Sequence, residues 1–583
     1  MSRLLTTIEA QVINGERSLI QLEFLHYLHS RFQSEDKEEG ALICALYCIK
    51  KNEEGHICIY LNGLADDLDF FESFSGTPLS TNDLKEACKN SNFIGKPGDF
   101  TPLILSNDQI YLQKFWNYEN ELINWLLTKS GFEHSLSDEV LEYLEKLFGD
   151  DSKQNNYQYL ATKLVFLKDF VVITGSPGTG KTYTIKKIVR ALLDQNPDLN
   201  IAFAAPTGKA ADRMNQSLVD FSEEFQIPRA TTIHKLLAIG FRPGRTSYKK
   251  ELLDIDVLII DEASMLDLSL WIQMIRALPD SCKLIALGDK NQLASVEAGS
   301  ILGDICFDND NTFSSGLSNK IENKQVGNST NKLNDSIIEL TKSHRFEDSS
   351  GIAELAEAIK TENTGLVLDL LHSSEYPQLL MSEVNSEGLD LVLQDYGITH
   401  FDDFVKSGHL FEVLNKKKIL CAFKQGPFGS DSINNLIETE IKSHYKIPAY
   451  QNWYEGRPIL ITRNNNLLKV YNGEVGYVST DFKTKNQILN FENRPGLSFL
   501  ISRLNDIESA FALTIHKSQG SEYDHVAIVL GNTENQLLSK QLLYTAVTRA
   551  RKSVLVIGNQ EIIKSTIEKS AVRRSGIRQK ITF

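Results

Sequence analysis

What this chain lacks narrows it first. Across 583 residues there is no run of about 18 apolar side chains, so no segment is expected to cross a membrane as a helix. The opening stretch, MSRLLTTIEAQVINGER, meets charge too early to read as a secretion signal. A cytoplasmic chain with reduced thiols is therefore expected. Only seven cysteines occur, and no Cys-x-x-Cys pair. Four of them (Cys44, Cys48, Cys58 and Cys88) fall in the first hundred residues, which invites a metal reading. Cys44 and Cys48, however, share one apolar helical pattern, ALICALYCIKK, and Cys58 sits in the strand-like HICIYL. Buried small hydrophobes are expected there, not a cluster or zinc. Positive charge is also short: 61 basic residues face 76 acidic ones, for a net charge of −15. That excludes a chain coated by nucleic acid, though not one with a local basic groove.

What is present is apolar material for several domains, at 42% hydrophobic residues. Residues 1 to 120 mix amphipathic helices with short strands (HICIYL, TPLILSNDQIYL) and carry no catalytic pattern; SEDKEEG and LADDLDFFESF read as solvated acidic faces. Between about 160 and 300 the chain alternates β-branched runs (DFVVITG, NIAFAAP, IDVLIIDEA, KLIALGD) with helical stretches. Short, wholly apolar strands spaced by helices predict a parallel sheet covered on both faces. Residues 307–335, rich in Asn and Ser, are expected to form a long mobile surface loop. A second alternating region follows (KKILCAF, RPILITR, AFALTIHKSQG, HVAIVLG, SVLVIGN), interrupted between 453 and 505 by short strands with turns such as YNGEVGYV.

The chemistry sits just after the strands. Gly175-Ser176-Pro177-Gly178-Thr179-Gly180-Lys181-Thr182 fits the phosphate-loop pattern G-x-x-x-x-G-K-[ST]. Its glycines let backbone N–H groups face the phosphates of ATP, Lys181 reaches the β- and γ-phosphates, and the Thr182 hydroxyl ligates Mg²⁺. Gln158, just upstream, is either an adenine reader or a solvent-facing helix residue. Asp261 and Glu262 end an apolar strand, a poor place for two acids in a core. Asp261 is expected to hold Mg²⁺ through water, and Glu262 to polarise the attacking water. An acid pair favours hydrolysis over transfer to a second substrate. Gln292, after KLIALGD, is placed to touch the γ-phosphate, or is simply polar loop. Arg345 and Arg549 are candidate arginine fingers, since the transferring group needs positive charge; either alone reads equally as a surface ion pair.

Taken in order, GSPGTGKT, APTGKAADRM, TTIHKLL, IIDEAS, GDKNQLASVEAG, SHRF, ALTIHKSQGSEYDHV and YTAVTRA resemble a superfamily 1 DNA helicase. ILCAFKQGPFGSDSINNLIE (418–437), WYEGRPILITRNNNLLKVYNGEVG (453–476) and RRSGI narrow the resemblance to the RecD family, the alpha subunits of exodeoxyribonuclease V. The match covers nearly all of 150–583 and is weak before that. It implies an α/β fold: two RecA-like parallel-sheet motor lobes, a small inserted SH3-like β module, and a mixed α/β N-terminal domain. The implied division is 1–120 as the subunit-docking domain, 121–340 as the first lobe, 341–452 and 506–583 as the second, and 453–505 as the insert. ATP would lie between the lobes, with Lys181, Thr182, Asp261, Glu262 and Gln292 on the first and Arg345 and Arg549 reaching in from the second.

By the same resemblance Thr207, Lys209, Thr232 and His234 on the first lobe, and Thr514, His516, Lys517 and Ser518 on the second, hold single-stranded DNA through its backbone. Gln519 and Glu522 would link DNA to nucleotide. Helix capping is the alternative role for any of the hydroxyls. The basic FRPGRTSYKK (241–250) either touches the duplex or is an ordinary solvated loop. Movement 5′ to 3′, RecB-like and RecC-like partners at duplex ends, and an N-terminal surface docking the RecC-like partner are all implied by the family. No nuclease constellation is visible, so nuclease activity would belong to a partner. A stand-alone RecD-like helicase is the alternative, although about 120 residues before the motor leave little room for its longer N-terminal extension. A purely regulatory ATP-binding subunit is disfavoured by the intact acids and arginines. A conjugative relaxase is disfavoured by the lack of clustered tyrosines with a histidine triad. RNA as the track is disfavoured by the family.

Overall fold

A computed structural model describes residues 3–582, apart from 33–38, 68–69, 71–73, 75–79, 150–155, 226, 238–251, 296, 323–324, 328, 343–350, 384–388, 391, 408–412, 414–415, 466, 469, 482 and 492–497. Arg345 and the basic stretch 241–250 lie outside the described residues.

The apolar runs form two parallel sheets. In the first lobe the order is Ile337–Leu340, Phe170–Gly175, Lys283–Gly288, Val257–Ile260, Ile201–Ala205 and Thr231–Thr232. Side chains alternate across it. Phe170 and Val172 enter a core shared with Trp271, while Val171 and Ile173 enter another shared with Ile185 and Leu164. Burial on both faces is why the strand reads as continuously apolar rather than alternating. Each such side chain contributes roughly 1.5–3 kcal/mol by leaving water. The second lobe repeats the scheme with Leu379–Ser382, Ala550–Gly558, Tyr523–Gly531, Lys417–Cys421 and Ala512–Thr514. Leu420 faces one core there, and Ile419 with Cys421 the other.

Between two strands of the second sheet the chain leaves to build an all-antiparallel five-stranded module. Its order is Ser498–Leu500, Gln487–Phe491, Val475–Thr480, Pro458–Ile461 and Ile507–Ser509. The N-terminal region is mixed. Helix Glu39–Glu53 packs on a four-stranded sheet of Cys58–Tyr60, Gln109–Leu112, Leu103–Ser106 and Ile94–Gly95. All seven cysteines are buried free thiols.

The segment 307–335 departs from expectation. Its described residues include a helix at Ser315–Ile321, and Phe313 and Leu333 are wholly buried. Asn309, Asn311, Asn331 and Asn334 of this segment each donate to a backbone carbonyl. Asn311 Nδ2 donates to Glu339 O at 2.8 Å, and Glu339 N–H donates to Asn311 Oδ1 at 2.7 Å. A primary amide presents a donor and an acceptor like a peptide group, so it finishes the outer side of the Ile337–Leu340 strand. Composition reports polarity and is blind to this pairing.

The C-terminal tail was also unforeseen. After helix Gln560–Glu568 it crosses back to the N-terminal sheet, where Ile57 N–H donates to Arg574 O at 2.9 Å and Tyr60 Oη to Ser575 O at 2.8 Å. Ser575 Oγ donates to Asp304 of the first lobe at 2.6 Å, and Gly576 N–H to the buried Glu119 at 2.9 Å. This strap ties three regions together.

Candidate active site and nucleic-acid interface

The phosphate loop follows from the sequence closely. Gly178 and Gly180 take φ of +87° and +85°, a region open to glycine at little cost. A Cβ on Gly175 would fall 2.6 Å from Thr179 Oγ1 and 2.9 Å from Leu340 O, so the cradle closes only around glycine. Helix Lys181–Gln195 then begins with its N-terminal N–H groups and positive dipole end at the loop, which is an anion site. Lys181 Nζ lies on the carbonyls of Gly175 (2.6 Å) and Ser176 (3.2 Å), and Thr182 is exposed beside it. Gln158 is not solvent-facing. It is buried on helix Tyr157–Leu167, and its Nε2 donates to Thr179 O at 3.2 Å, buttressing the loop.

Asp261 and Glu262 stand at the carboxyl end of strand Val257–Ile260. Burial, then the neighbouring Glu262 charge, pushes the Asp261 carboxyl up to about 6, against the pull of Lys181. Glu262 adopts φ +55°, ψ 39°, left-handed backbone that costs a non-glycine residue about 1–2 kcal/mol. The turn is held by Glu262 N–H donating to Asp261 Oδ1 at 2.9 Å. Oxygen donors at Thr182 and Asp261, beside an anion cradle, suit a hard cation such as Mg²⁺.

Gln292 and Arg549 meet across the lobes. The Arg549 guanidinium donates to Gln292 Oε1, and its Nη1 to Ser521 O at 3.2 Å. Arg549 is 2% exposed, yet its Nε has no hydrogen-bond partner among the described residues. A buried cationic N–H left open at a phosphate cradle is poised for an anion. Further contacts cross the same cleft: Leu293 N–H donates to Thr545 Oγ1 at 2.9 Å, and Gln519 Nε2 to Leu293 O at 3.0 Å. Arg213 on helix Gly208–Ser217 pairs with Glu522, which Arg551 also holds at 3.0 Å. The sequence showed no signal singling out Arg213, Ser521 or Tyr544, although all three stand inside quoted motifs.

The two candidate nucleic-acid segments come together at the lobe boundary, where a Cβ on Gly520 would lie 3.5 Å from Ala210 Cβ and 3.7 Å from Thr207 Oγ1. The hydroxyls there are engaged. Thr207 accepts from Ala210 N–H, Thr232 from Lys235 N–H and Thr514 from Lys517 N–H, at 3.2, 3.2 and 3.3 Å. Ser518 is wholly buried and donates to Ile515 O at 2.7 Å. His234 is exposed, and burial, then Arg573, lowers the half-buried His516 below the usual histidine range. The Lys209 ammonium stands 5.6 Å from the Tyr523 ring centre. Lys517 and Lys424 both bind Glu508, at 2.7 and 2.6 Å.

A phosphate cradle, an acid pair and an arginine carried by a second parallel-sheet lobe are the parts of a two-lobed ATPase, and the family matches make it an ATP-dependent DNA helicase motor of superfamily 1. Sequence comparison agrees: residues 158–298 match the family described as AAA domain, and 509–557 the UvrD-like helicase C-terminal domain. Residues 18–111 match the N-terminal domain of RecBCD enzyme subunit RecD. The chain is 34% identical to RecBCD enzyme subunit RecD of Buchnera aphidicola over 82% of its own length and 84% of that protein. Against the RecD subunit of Mycolicibacterium smegmatis it is 29% identical over 94% and 95% of the two chains. The ATP-dependent RecD2 DNA helicase of Deinococcus radiodurans is 27% identical over 67% of this chain but 47% of its own. This chain belongs to the RecD family.

Proposed function

We propose that this chain is the alpha subunit of a cytoplasmic RecBCD-type exodeoxyribonuclease V, moving 5′ to 3′ on single-stranded DNA from a broken duplex end in recombinational repair. The observation that carries the motor reading is the Arg549–Gln292 contact, which joins the lobes at the nucleotide cradle. The phosphate-loop N–H groups and Lys181 bind and orient the phosphates of ATP. Thr182 and Asp261 would hold Mg²⁺, which when bound neutralises phosphate charge and orients the terminal group. Glu262 accepts the proton of the attacking water, Gln292 senses the γ-phosphate, and Arg549 stabilises charge developing on it. Arg345 is proposed to join it from the second lobe.

Because the arginine and the acids lie on different lobes, hydrolysis requires closure and its product releases it. Thr207, Lys209, Thr232 and His234 grip DNA on one lobe and Thr514, His516 and Lys517 on the other, so closure changes the distance between grips; Ser518, wholly buried, is not among them. The match of residues 18–111 to the RecD N-terminal domain supports the subunit reading, with that domain docking the RecC-like partner. The RecD2 relative supports the second reading, a stand-alone helicase.

The test offers the purified chain ATP and duplexes bearing a 5′ or a 3′ single-stranded tail, with Lys181→Gln as the inactive control. Unwinding from the 5′ tail alone is expected. Unwinding from the 3′ tail refutes the polarity. ATP hydrolysis stimulated by DNA without unwinding indicates a motor that needs its RecB-like and RecC-like partners, whose addition should restore it. Indifference of both rates to DNA would sink the helicase reading.

A further inference from the structure

Helix Lys540–Val547 of the second lobe reaches the nucleotide cradle through a residue the reading above leaves unused. Tyr544 is buried, and its hydroxyl lies 2.9 Å from Ser176 Oγ in the phosphate loop and 2.9 Å from Asp289 Oδ2, just past strand Lys283–Gly288. A phenol carries one proton, and a carboxylate only accepts. Tyr544 therefore donates to Asp289 and accepts from the Ser176 hydroxyl. Asp289 accepts in turn from Gln292 Nε2 at 3.3 Å, and Gln292 Oε1 receives Arg549. The path Arg549–Gln292–Asp289–Tyr544 thus starts and ends on one short segment of the second lobe and passes through the first between. Thr545, holding Leu293 N–H, pins the middle.

Packing alone does not call for the hydroxyl, since phenylalanine would fill the same space. A tyrosine that merely found nearby partners would not need both of them to belong to the phosphate site of the opposite lobe. Burial pushes the Asp289 carboxyl up, against the Lys181 charge and the hydrogen bonds it accepts from Asn291 N–H, Tyr544 and Gln292. Opening the lobes breaks both Tyr544 bonds at once.

We propose that Tyr544 is a positioning residue for hydrolysis: acting through Asp289, it holds Gln292 at the phosphate site only while the second lobe is closed, and so transmits DNA-driven closure to the chemistry. The inference rests on the DNA-stimulated ATPase reading above and adds a second jaw to the arginine contact.

Tyr544→Phe in the full chain tests it, with the ratio of DNA-stimulated to DNA-free ATP turnover as the readout. An inactive fraction cancels from that ratio, so a merely structural defect leaves it unchanged. Loss from the closed state of the two hydrogen bonds made by the hydroxyl should lower the ratio about tenfold or more, with the KM for ATP held within about twofold. In a Gln292→Ala background Tyr544→Phe should change the ratio by less than about twofold, because the group it positions is gone. A ratio equal to wild type overturns the inference, as does a full additional loss in the Gln292→Ala background. A wild-type chain that DNA fails to stimulate would refute the motor reading and this inference with it; stimulation intact in both wild type and Tyr544→Phe refutes this inference alone.

Discussion

The two lobes are built alike and equipped differently. Both are parallel sheets buried on two faces, yet in the first, strand Phe170–Gly175 leads through a glycine turn to a helix that opens on Lys181-Thr182, completing a phosphate loop. In the second, strand Lys417–Cys421 also runs through a glycine turn, with Gly426 at φ +91°, into helix Ser430–His444, but that helix opens on Ser-Asp rather than on a lysine. What the second lobe supplies instead is reach: Tyr544, Thr545 and Arg549 all contact the first lobe around its cradle. Architecture is thus repeated while chemistry is divided. A site split in this way responds to the distance between its halves, which one lobe holding every group would not.

If the division is real, removing a second-lobe group should cost as much as removing one beside the phosphates. Arg549→Ala is expected to lower the turnover of DNA-stimulated ATP hydrolysis by about a thousandfold or more, in phosphate-release assays, with nucleotide binding retained. A loss under about tenfold would place all the chemistry on the first lobe. Lys181→Gln should cost about a hundred- to a thousandfold and, unlike Arg549→Ala, weaken nucleotide binding as well.

The strap gives the next effect. A Cβ on Gly576 would land 2.1 Å from Tyr111 Oη and 2.6 Å from Glu119 Oε1, whereas one on Gly316 meets nothing within 4 Å. Gly576→Ala should destabilise by about 1–3 kcal/mol in thermal unfolding, and Gly316→Ala should be neutral or slightly stabilising. Equal behaviour of the two would mean the strap does not bind the lobes together.

Burial lowers a lysine on each sheet, Lys283 of the first to about 8 and Lys418 of the second further. Burial pulls Lys418, on the second sheet, down to about 7, with its Nζ on Ala510 O at 3.0 Å. Between pH 7 and about 10 the unfolded chain holds that proton and the folded chain does not. Stability should therefore rise with pH across that window, by up to about 1.4 kcal/mol per unit from this group, and be flat below it. Lys418→Met should remove that part of the slope in denaturation series at several pH values; an unchanged slope refutes it. The smallest effect belongs to Glu508, the shared partner of Lys424 and Lys517. Glu508→Gln should free both lysines and tighten single-stranded DNA binding about two- to fivefold, with a steeper salt dependence, in fluorescence titrations.

Legibility varied with how local the determinant was. The phosphate loop, the Asp261-Glu262 strand end and the parallel sheets were visible because glycine, acids after apolar runs and β-branched strands act within a few residues. Gln158 was ambiguous, since a helix residue's partner 21 positions away is invisible to periodicity. Thr207, Thr232 and Thr514 all lie where a hydroxyl serves as a cap or as a phosphate contact, and spacing does not separate those roles. The Asn-rich segment misled because amides solvate a loop and finish a strand edge with equal ease.

The sequence by itself determined the phosphate loop, the acid-bearing strand end and the class of fold, because all three rest on short-range rules of backbone freedom and side-chain alternation. Only the tertiary structure decided which lobe completes the other's site, that Tyr544 and Arg549 close on the same carboxylate–glutamine pair, and that the tail returns to bind three regions. Those are meetings of residues hundreds of positions apart. They exist because two sheets pack in one relative placement, and no local pattern encodes that placement.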